Sequence, residues 1–324
     1  MPRTSLISTV FDATSTADDV VAGLDLTSVR AIVTGATSGL GRETARALAS
    51  TGAEVTLAVR NTDAGTKVAN DIAATTRNNA IHVAHLDLAD PATITRFVDD
   101  WDGPLQLLIN NAGIMSSALT RTQPGWELQF ATNHLGHFAL AVGLHDALAT
   151  GAAERGEARI VALTSGAHMY SPVVFDDIHF TRRAYDPQLA YGQSKTANSL
   201  FTVEATRRWA ADGIVANAVN PGGVSTGIQR DFTQDMKDYL DQLEAAGVFA
   251  YKSVQQGAAT TLVAATAPEF AHSGGHYLDD GNEAGTVPDD AELAGNSHAV
   301  KRWALDPATA QKLWQVSLDM IRQR

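Results

Sequence analysis

Short apolar runs rich in β-branched residues alternate along the chain with longer stretches whose apolar residues recur at helical spacing. The runs predict strands at residues 31–34, 54–59, 81–86, 105–109, 159–163, 215–219 and, more weakly, 276–278. The longer stretches predict helices that include residues 42–49, 91–101 and 194–209. Strands that alternate with helices of this length form right-handed βαβ crossovers and a parallel sheet covered on both faces.

The pattern therefore predicts a single doubly wound α/β domain, with a central parallel sheet of about seven strands and helices on both faces. No internal repeat or low-complexity linker divides residues 29–284, so we expect them to form one domain. Residues 1–28 precede the first strand and are expected to pack over an edge of the sheet. In the C-terminal extension, residues 285–324, the apolar side chains of Trp303 and Trp314 predict a tail that packs on the domain.

Composition narrows the classes of function. The 324 residues are 44% hydrophobic, which is enough apolar material for one large core. Asp and Glu number 36 against 24 Lys and Arg, and the formal net charge of −12 disfavours binding to nucleic acid or to anionic lipid. The chain has no cysteine, which excludes disulfides and thiolate chemistry. No apolar run approaches the roughly 20 residues that cross a bilayer, so we expect a cytoplasmic protein with no membrane segment.

A glycine-rich turn follows the first predicted strand and leads into a helix. Glycine permits a tight turn and a close approach of a pyrophosphate, and the helix N-terminus offers free N–H groups and partial positive charge. A tight turn without a ligand is the alternative, because a glycine triplet alone is a weak signal. The place of the turn in the first βα unit favours nucleotide binding, and the residues concerned are Gly35, Thr37, Ser38, Gly39, Leu40 and Gly41.

The end of the second strand indicates which dinucleotide binds. A carboxylate there would accept the ribose 2′-hydroxyl of NAD(H) and repel a 2′-phosphate. Here Arg60 and Asn61 follow the strand, and the first carboxylate is Asp63. Arg60 can pair with a 2′-phosphate through its planar guanidinium, and Arg42 supplies a second candidate cation. The sequence thus favours NADP(H) over NAD(H), with two ordinary surface arginines as the alternative.

Tyr191 and Lys195 lie four residues apart, which places them on one face of a helix. A cation beside a phenol favours the phenolate and brings the pKa of a tyrosine toward the range in which proton transfer is effective. Ser165 follows a strongly apolar strand, as do the polar loops 110–113 and 220–222. The carboxyl ends of parallel strands meet at one edge of a sheet, where ligands bind, so we expect these groups to converge there.

Together these motifs resemble the short-chain dehydrogenase/reductase family, whose members have a Rossmann-type fold, and the resemblance covers residues 34 to about 278. It is most similar to the retinol-dehydrogenase-like and bacterial ketoreductase-like branch. The segments that carry this likeness are Arg60-Asn61, Asn133-His134-Leu135-Gly136-His137-Phe138 and Ala190-Tyr191-Gly192-Gln193-Ser194-Lys195-Thr196-Ala197-Asn198.

The resemblance implies the roles of four catalytic residues. Tyr191 would transfer the proton of the carbinol, and Lys195 would lower the pKa of Tyr191 and bind the nicotinamide ribose. Ser165 would donate a hydrogen bond to the substrate oxygen, and Asn133 would hold a water that links Lys195 to solvent. Further cofactor contacts implied by the resemblance are Asp87, Leu88, Asn111, Ala112, Gly113, Pro221, Gly222, Val224 and Thr226. The family also implies a homodimer or a homotetramer.

The spacing between Ser165 and Tyr191 departs from the family pattern. They are 26 residues apart, whereas many members place the tyrosine about a dozen residues after the serine. The extra segment, residues 168–189, holds apolar and aromatic side chains such as Met169, Val173 and Phe180. It is interpreted as part of a substrate wall, with a purely structural flap as the alternative. Residues 226–250 resemble the family's mobile lid, which predicts either substrate contact or a stripe that faces the core. These two apolar segments favour a hydrophobic substrate.

His134 and His137 lie three residues apart without an acidic or thiol partner at useful spacing, so we interpret them as packed histidines and expect no metal site. The predicted function is an NADP(H)-dependent oxidoreductase that transfers hydride between nicotinamide and a ketone or aldehyde, or the corresponding alcohol. Two alternatives remain open. One is a reductase of conjugated C=C bonds, and the other is a non-catalytic regulator that senses NADP(H).

Overall fold

The computed structural model describes residues 5–225, 234–247 and 250–322. The strands are β1 (Arg30–Thr34), β2 (Glu54–Val59), β3 (Ile81–His85), β4 (Leu107–Asn110), β5 (Ala158–Leu163), β6 (Ile214–Asn220), β7 (Gly223–Val224), β8 (Tyr251–Lys252), β9 (Tyr277–Asp279), β10 (Asn282–Glu283), β11 (Thr286–Val287) and β12 (Val300–Lys301). The helices are α1 (Ala17–Val21), α2 (Gly39–Ser50), α3 (Thr62–Thr76), α4 (Pro91–Asp99), α5 (Leu128–Phe130), α6 (Gly136–Gly143), α7 (His145–Arg155), α8 (Pro187–Trp209), α9 (Gln234–Ala245), α10 (Val254–Thr266) and α11 (Pro307–Arg322). A π-helical turn covers Ala131–Leu135, and 3₁₀ turns cover Gly166–Tyr170, Phe175–Asp177, Ala210–Asp212, Pro268–Phe270 and Arg302–Ala304.

Within the described residues, the central sheet has eight strands in the order β10-β9-β6-β5-β4-β1-β2-β3. Seven of them run parallel, and the two-residue strand β10 pairs antiparallel with β9 at the edge. The predicted count of about seven therefore misses only this edge strand, which is too short to give a periodic signal. Strands β1 to β3 are added toward one edge of the sheet, and strands β4 to β6 are added toward the other. The strand order therefore reverses between β1 and β4, and ligands bind at such a switch point in doubly wound folds.

The central strands are buried on both faces because helices cover each side. One apolar core includes Val33 and Leu57 and lies under α1, α2, α3 and α10. The other includes Leu108 and Ile160 and lies under α4, α6, α7 and α8. Burial of both faces explains why the strands read in the sequence as continuous apolar runs rather than as alternating patterns.

Helix boundaries follow the capping residues. Asp90 accepts a hydrogen bond from the backbone of Ala92 and Pro91 occupies the first turn, so α4 begins where predicted. Helix α8 begins at Pro187, where Asp186 and Pro187 form the same kind of cap, and it includes the predicted helical stretch 194–209 as well as Tyr191. The prediction that Tyr191 and Lys195 share a helix is confirmed.

Both extensions pack on the domain. The backbone N–H of Ile7 donates to the Glu283 carboxylate at 2.7 Å, so the N-terminal segment lies along the β10 edge. In the C-terminal extension, Trp314 of α11 stacks on Phe201 of α8 with ring centres 6.0 Å apart. No helix in the described ranges is both long and apolar enough to span a membrane.

Candidate active site

A cavity of about 670 Å³ opens at the carboxyl ends of the parallel strands. The loops after β1, β2, β4, β5 and β6 all contribute to its lining. Most of the predicted site residues line it: Gly35, Thr37, Ser38, Gly39, Leu40, Gly41, Arg60, Asp87, Leu88, Asn111, Ala112, Gly113, Ser165, Tyr191, Lys195, Pro221, Gly222 and Val224. The predicted convergence of these loops is thus observed.

The glycine-rich turn needs its glycines because the next loop lies directly against it. Gly35 has φ +68°, and a Cβ there would lie 2.9 Å from the Cα of Ala112. A Cβ on Gly41 would lie 2.4 Å from Nδ2 of Asn111, which donates to the carbonyl of Thr34 at 2.7 Å. The turn is therefore tight enough to bring its backbone to the cavity wall.

Helix α2 starts in this turn, and no side chain among the described residues caps its N-terminus. Ser38 stands at the cap position, but its hydroxyl makes no capping hydrogen bond. By contrast, Asn61, Asp90 and Asp186 cap the helices that follow them. The first N–H groups of α2 thus remain available to a ligand that carries negative charge.

The two arginines proposed as phosphate partners have different surroundings. Arg60 is exposed and lines the cavity at the end of β2, beside Asn61. Arg42 does not line the cavity, because its guanidinium forms an ion pair with Asp71 of α3 at 2.7 Å. The prediction that Arg42 adds a second cation to the cofactor site therefore lacks support from its side-chain position.

Ser165 and Tyr191 meet across the cavity wall. The Ser165 hydroxyl lines the cavity together with Tyr191 and accepts a hydrogen bond from the backbone N–H of Ala167 at 3.2 Å. Tyr191 is only 8% exposed. Burial raises the pKa of Tyr191 to about 12, and the neighbouring Ser165 hydroxyl opposes this shift. The pKa of Tyr191 is therefore raised, contrary to the lowering expected from Lys195, because removal of a phenol from water disfavours its charged form.

Lys195 lies one helical turn after Tyr191, with its Nζ atom 5.5 Å from the centre of the tyrosine ring. The ammonium donates to the carbonyl of Leu163 at 3.0 Å, and this carbonyl also accepts from Asn198 at 2.9 Å. Burial lowers the pKa of Lys195 to about 8. A Cβ on Gly113 would lie 3.4 Å from Nζ, so the Asn111–Gly113 loop passes directly over the ammonium.

Asn133 is buried behind the cavity rather than in its lining. Its Oδ1 atom accepts from the backbone N–H of Ile114 at 2.8 Å, and its Nδ2 atom donates to the Ile114 carbonyl and to the Ser194 hydroxyl, each at 3.0 Å. It lies in the π-helical turn Ala131–Leu135, and such turns are frequent at functional sites. Asn133 thus ties the β4 loop to α8 between Tyr191 and Lys195.

Thr226 lies outside the described residues, as does Phe232 of the predicted lid. At the same end of the cavity, Lys252 forms an ion pair with Asp280, and His298 donates from Nδ1 to Asp279 at 2.7 Å. The pKa of His298 is raised, chiefly by this hydrogen bond. Asp279, Asp280 and His298 lie close enough together to hold a cation, and the Lys252 ammonium already pairs with this group.

Most of the inserted segment, residues 168–189, packs in the apolar core rather than against the cavity. Tyr170 and Gln188 line the cavity, as part of the predicted substrate wall would. Val173 and Ile178 instead pack against Phe130 and the C-terminal helix. The alternative reading as a structural flap therefore describes most of the segment.

His134 and His137 are both buried and hydrogen-bonded within the protein. His134 lies 2.9 Å from the Ser317 hydroxyl, and His137 lies 2.9 Å from the Thr34 hydroxyl through Nε2. Burial lowers the pKa of His134 to about 3 and that of His137 to about 4. Both rings are thus neutral packed histidines, as interpreted from the sequence.

Several cavity residues were missed by the sequence reasoning. Leu293, Ser297 and His298 come from the C-terminal extension, and Met115 and Thr132 come from the region after β4. None belongs to a local sequence motif. Each lies at the cavity only because the tertiary structure brings its segment there. The predicted packing of the tail was the only available signal for the first three.

Comparison with known proteins decides the family. The model of the short chain dehydrogenase family matches residues 30–237, which is more than half of the chain. The chain belongs to the short-chain dehydrogenase family. It is therefore an oxidoreductase that uses a nicotinamide cofactor and a small-molecule substrate.

The relatives of this short-chain dehydrogenase cover nearly all of its length. A "Probable oxidoreductase" of Streptomyces antibioticus is 46% identical over 304 residues, which cover 92% of this chain and 99% of the relative. Mouse retinol dehydrogenase 12 is 36% identical over 299 residues, with 90% of this chain and 85% of that protein covered. A solved structure from Mycobacterium paratuberculosis is 32% identical with a TM-score of 0.69 and covers 93% of this chain and 97% of that one. These likenesses support the retinol-dehydrogenase-like branch.

Proposed function

We propose that this short-chain dehydrogenase is an NADP(H)-dependent oxidoreductase that interconverts a ketone or aldehyde and the corresponding alcohol. One observation carries the proposal: Ser165, Tyr191 and Lys195 line the same cavity as an uncapped helix N-terminus in a glycine-rich turn. A proton donor, a cation and an anion-binding turn in one cavity are the parts that hydride transfer to a carbonyl requires.

The residues present fit a dinucleotide. The turn from Gly35 to Gly41 brings backbone N–H groups to a place where a Cβ would collide with the neighbouring loop. The Asn111–Gly113 loop and Asp87 would hold the adenosine side, and Pro221, Gly222 and Val224 would flank the nicotinamide. When bound, the cofactor supplies or accepts the hydride, and the chain positions the reacting carbonyl.

NADP(H) is favoured over NAD(H) by Arg60. It is the cation at the end of β2 that lines the cavity, and a guanidinium suits the 2′-phosphate of NADP(H). Arg42 is left out of this assignment because Asp71 holds it on the surface.

The proposed chemistry assigns the proton to Tyr191. During carbonyl reduction, the Tyr191 hydroxyl donates its proton to the developing alkoxide oxygen, and the Ser165 hydroxyl donates a hydrogen bond to the same oxygen. A pKa of about 12 keeps Tyr191 protonated at neutral pH, which suits the reductive direction. Lys195 favours the phenolate that results, because its Nζ atom lies 5.5 Å from the ring centre. Asn133 supports this pair by fixing the β4 loop against α8.

The substrate end of the cavity combines apolar and polar groups. Met115, Tyr170 and Leu293 offer apolar surface, whereas Gln188 and His298 offer hydrogen bonds. We therefore propose a largely hydrophobic carbonyl compound that carries a second polar group. The homodimer or homotetramer implied by the family and the cytoplasmic location stay predictions.

The test offers purified protein a panel of ketones, aldehydes and conjugated enones with NADPH deuterated at the transferred position of C4. The proposal predicts oxidation of NADPH and one deuterium at the carbinol carbon of the product. Deuterium at the β-carbon of an enone would support a C=C reductase instead. Binding of NADPH without turnover on any substrate would support a sensing role. A preference for NADH over NADPH would contradict the cofactor assignment.

A further inference from the structure

The turn that carries Ser165 is held between α8 and the C-terminal extension. The Ser165 hydroxyl caps the 3₁₀ turn Gly166–Tyr170 by accepting from the backbone of Ala167. On the α8 side the fit is close, since a Cβ on Gly192 would lie 2.5 Å from the Ala167 carbonyl oxygen. The position of Ser165 therefore depends also on the contacts that the C-terminal extension makes with the opposite side of this turn.

The buried imidazole of His168 joins this turn to β12. Its Nδ1 atom lies 2.8 Å from the Ser165 carbonyl oxygen, and its Nε2 atom lies 3.2 Å from the backbone nitrogen of Lys301. A carbonyl oxygen only accepts a hydrogen bond, and a backbone N–H only donates one. Nδ1 must therefore carry the proton and Nε2 the lone pair, so the two contacts select one neutral tautomer.

Other groups around His168 are consistent with a neutral ring. Burial lowers the pKa of His168 to about 4, so the ring is uncharged at neutral pH. The Tyr277 hydroxyl oxygen lies 3.2 Å from Nδ1. The C-terminal extension also reaches the turn directly, because Trp303 Nε1 donates to the His168 carbonyl at 3.3 Å and Lys301 Nζ donates to the Met169 carbonyl at 2.9 Å.

We propose that His168 is a positioning residue for Ser165, and that the backbone N–H of Lys301 sets the tautomer in which His168 does so. The inference rests on the proposed function, in which Ser165 donates to the substrate oxygen. In the other tautomer, the Nδ1 lone pair would face the Ser165 carbonyl oxygen, and their repulsion would displace the turn. The C-terminal extension is thereby coupled to catalysis, although it contributes no residue to the serine, tyrosine and lysine set.

The test compares two substitutions at residue 301. Lys301→Pro removes both the backbone N–H and the ammonium, whereas the matched control Lys301→Met removes only the ammonium. Proline suits this position because Lys301 has φ −68°, close to the angle that the proline ring imposes. The difference between the two variants therefore isolates the hydrogen bond to Nε2 of His168.

We expect kcat for carbonyl reduction to be about tenfold lower in Lys301→Pro than in Lys301→Met, as the loss of one buried hydrogen bond would give. The KM for NADPH should be equal in the two variants, because the glycine turn is untouched. A purely structural role would instead lower thermal stability and change both constants together. Equal kcat values in the two folded variants would overturn the inference.

Repeating the comparison in a Ser165→Ala background shows whether the effect passes through Ser165. The tenfold difference should disappear there, since no hydroxyl remains to be positioned. A difference that persists would overturn the inference while leaving the proposed function intact. Failure of Ser165→Ala alone to lower kcat would contradict both the inference and the role of Ser165 in the proposed function.

A second pair of variants tests His168 itself if Lys301→Pro does not fold. His168→Asn keeps a donor for the Ser165 carbonyl, whereas His168→Leu removes it. We expect kcat of the asparagine variant to exceed that of the leucine variant by about tenfold. His276→Asn is the matched control, because His276 has both ring nitrogens hydrogen-bonded, to Ser273 and Glu283, outside the cavity. Equal kcat values for the two His168 variants would overturn the inference.

Discussion

The ammonium of Lys195 lies 5.5 Å from the ring centre of Tyr191, and both side chains are almost fully buried. Burial acts on the two groups in opposite directions along the pH scale, since it raises the pKa of Tyr191 to about 12 and lowers that of Lys195 to about 8. Each shift disfavours the charged form, as desolvation does. The pair therefore keeps a protonated phenol beside a lysine whose pKa is lowered to about 8.

The first prediction concerns the free energy of unfolding that the protein loses by burying the charged side chain of Lys195. Because the pKa of Lys195 is lower in the folded than in the unfolded chain, the free energy of unfolding should rise as pH increases from about 8 to 10.5. Lys195→Met should remove that rise and stabilise the protein at pH 7, by at most about 3 kcal/mol. The carbonyl of Leu163 keeps its hydrogen bond from Asn198.

Urea unfolding at pH 7 and at pH 10 measures this effect, and kcat of the same variant should fall by about 10²-fold or more. A Lys195→Met protein that is less stable than the wild type at pH 7 would contradict the assignment of a desolvation cost to Lys195.

The second prediction concerns the choice of cofactor. Arg60→Asp replaces a cation at the end of β2 with a carboxylate, which repels a 2′-phosphate and accepts a ribose hydroxyl. We expect kcat/KM for NADPH to fall by about 10²-fold, as the loss of a charge-assisted hydrogen bond would give, and kcat/KM for NADH to rise. Steady-state rates with both cofactors measure the switch.

Arg42→Ala is the matched control, because its guanidinium pairs with Asp71. The two values of kcat/KM should change little in this variant. An equal loss with NADPH in both variants would mean that Arg42 leaves Asp71 to bind the phosphate.

The third prediction concerns acid stability. His134, His137 and His168 have folded-state pKa values of about 3, 4 and 4 because of burial. A lowered folded-state pKa means that stability is fully present above pH 6.5 and is lost as pH falls toward 4, because the unfolded chain binds protons that the folded chain does not. Each ring should contribute on the order of 3 kcal/mol to this loss.

Urea unfolding at pH 7.5, 6 and 5 measures the slope. His134→Gln should show a shallower fall than the wild type, whereas His82→Gln, which changes an exposed ring, should keep the wild-type slope. If His134→Gln keeps the full slope, His134 does not contribute to the acid sensitivity.

The fourth prediction concerns the polar part of the substrate end. His298 is held by Asp279 at 2.7 Å and its pKa is raised, so its charge is present below that raised value and is lost above it. We expect His298→Leu to lower kcat/KM about tenfold for carbonyl compounds that carry a carboxylate or hydroxyl, and little for purely apolar ketones. The comparison uses paired substrates of equal size, and an equal change for both members would remove His298 from substrate recognition.

Features encoded over short stretches of chain could be predicted from the sequence. The parallel strands follow from continuous apolar runs, and the cavity position of Gly35, Ser165 and Tyr191 follows from their places at the ends of strands or on a helix face. Features that depend on the path of distant segments could not be predicted. His298 reaches the cavity only because the C-terminal extension folds back against the turn at Gly166, and no local pattern records that path.

Side-chain pairing and the depth of burial are the other two features that could not be predicted from the sequence. The sequence offers Arg42 as a free cation beside the glycine turn, whereas Asp71 of the next helix neutralises it. Burial raises the pKa of Tyr191 instead of the expected lowering. This could not be predicted, because the depth of burial cannot be read from the spacing of two residues.

The central claim is that Tyr191 transfers the proton during carbonyl reduction, and single-turnover kinetics of Tyr191→Phe test it most directly. Tyr185→Phe is the matched control, since its hydroxyl bonds to Gln129 and Glu127 outside the cavity. With saturating NADPH, the rate of hydride transfer should fall about 10²- to 10⁴-fold in Tyr191→Phe and little in Tyr185→Phe, while the Kd for NADPH stays unchanged. A near-normal rate in Tyr191→Phe would contradict the account.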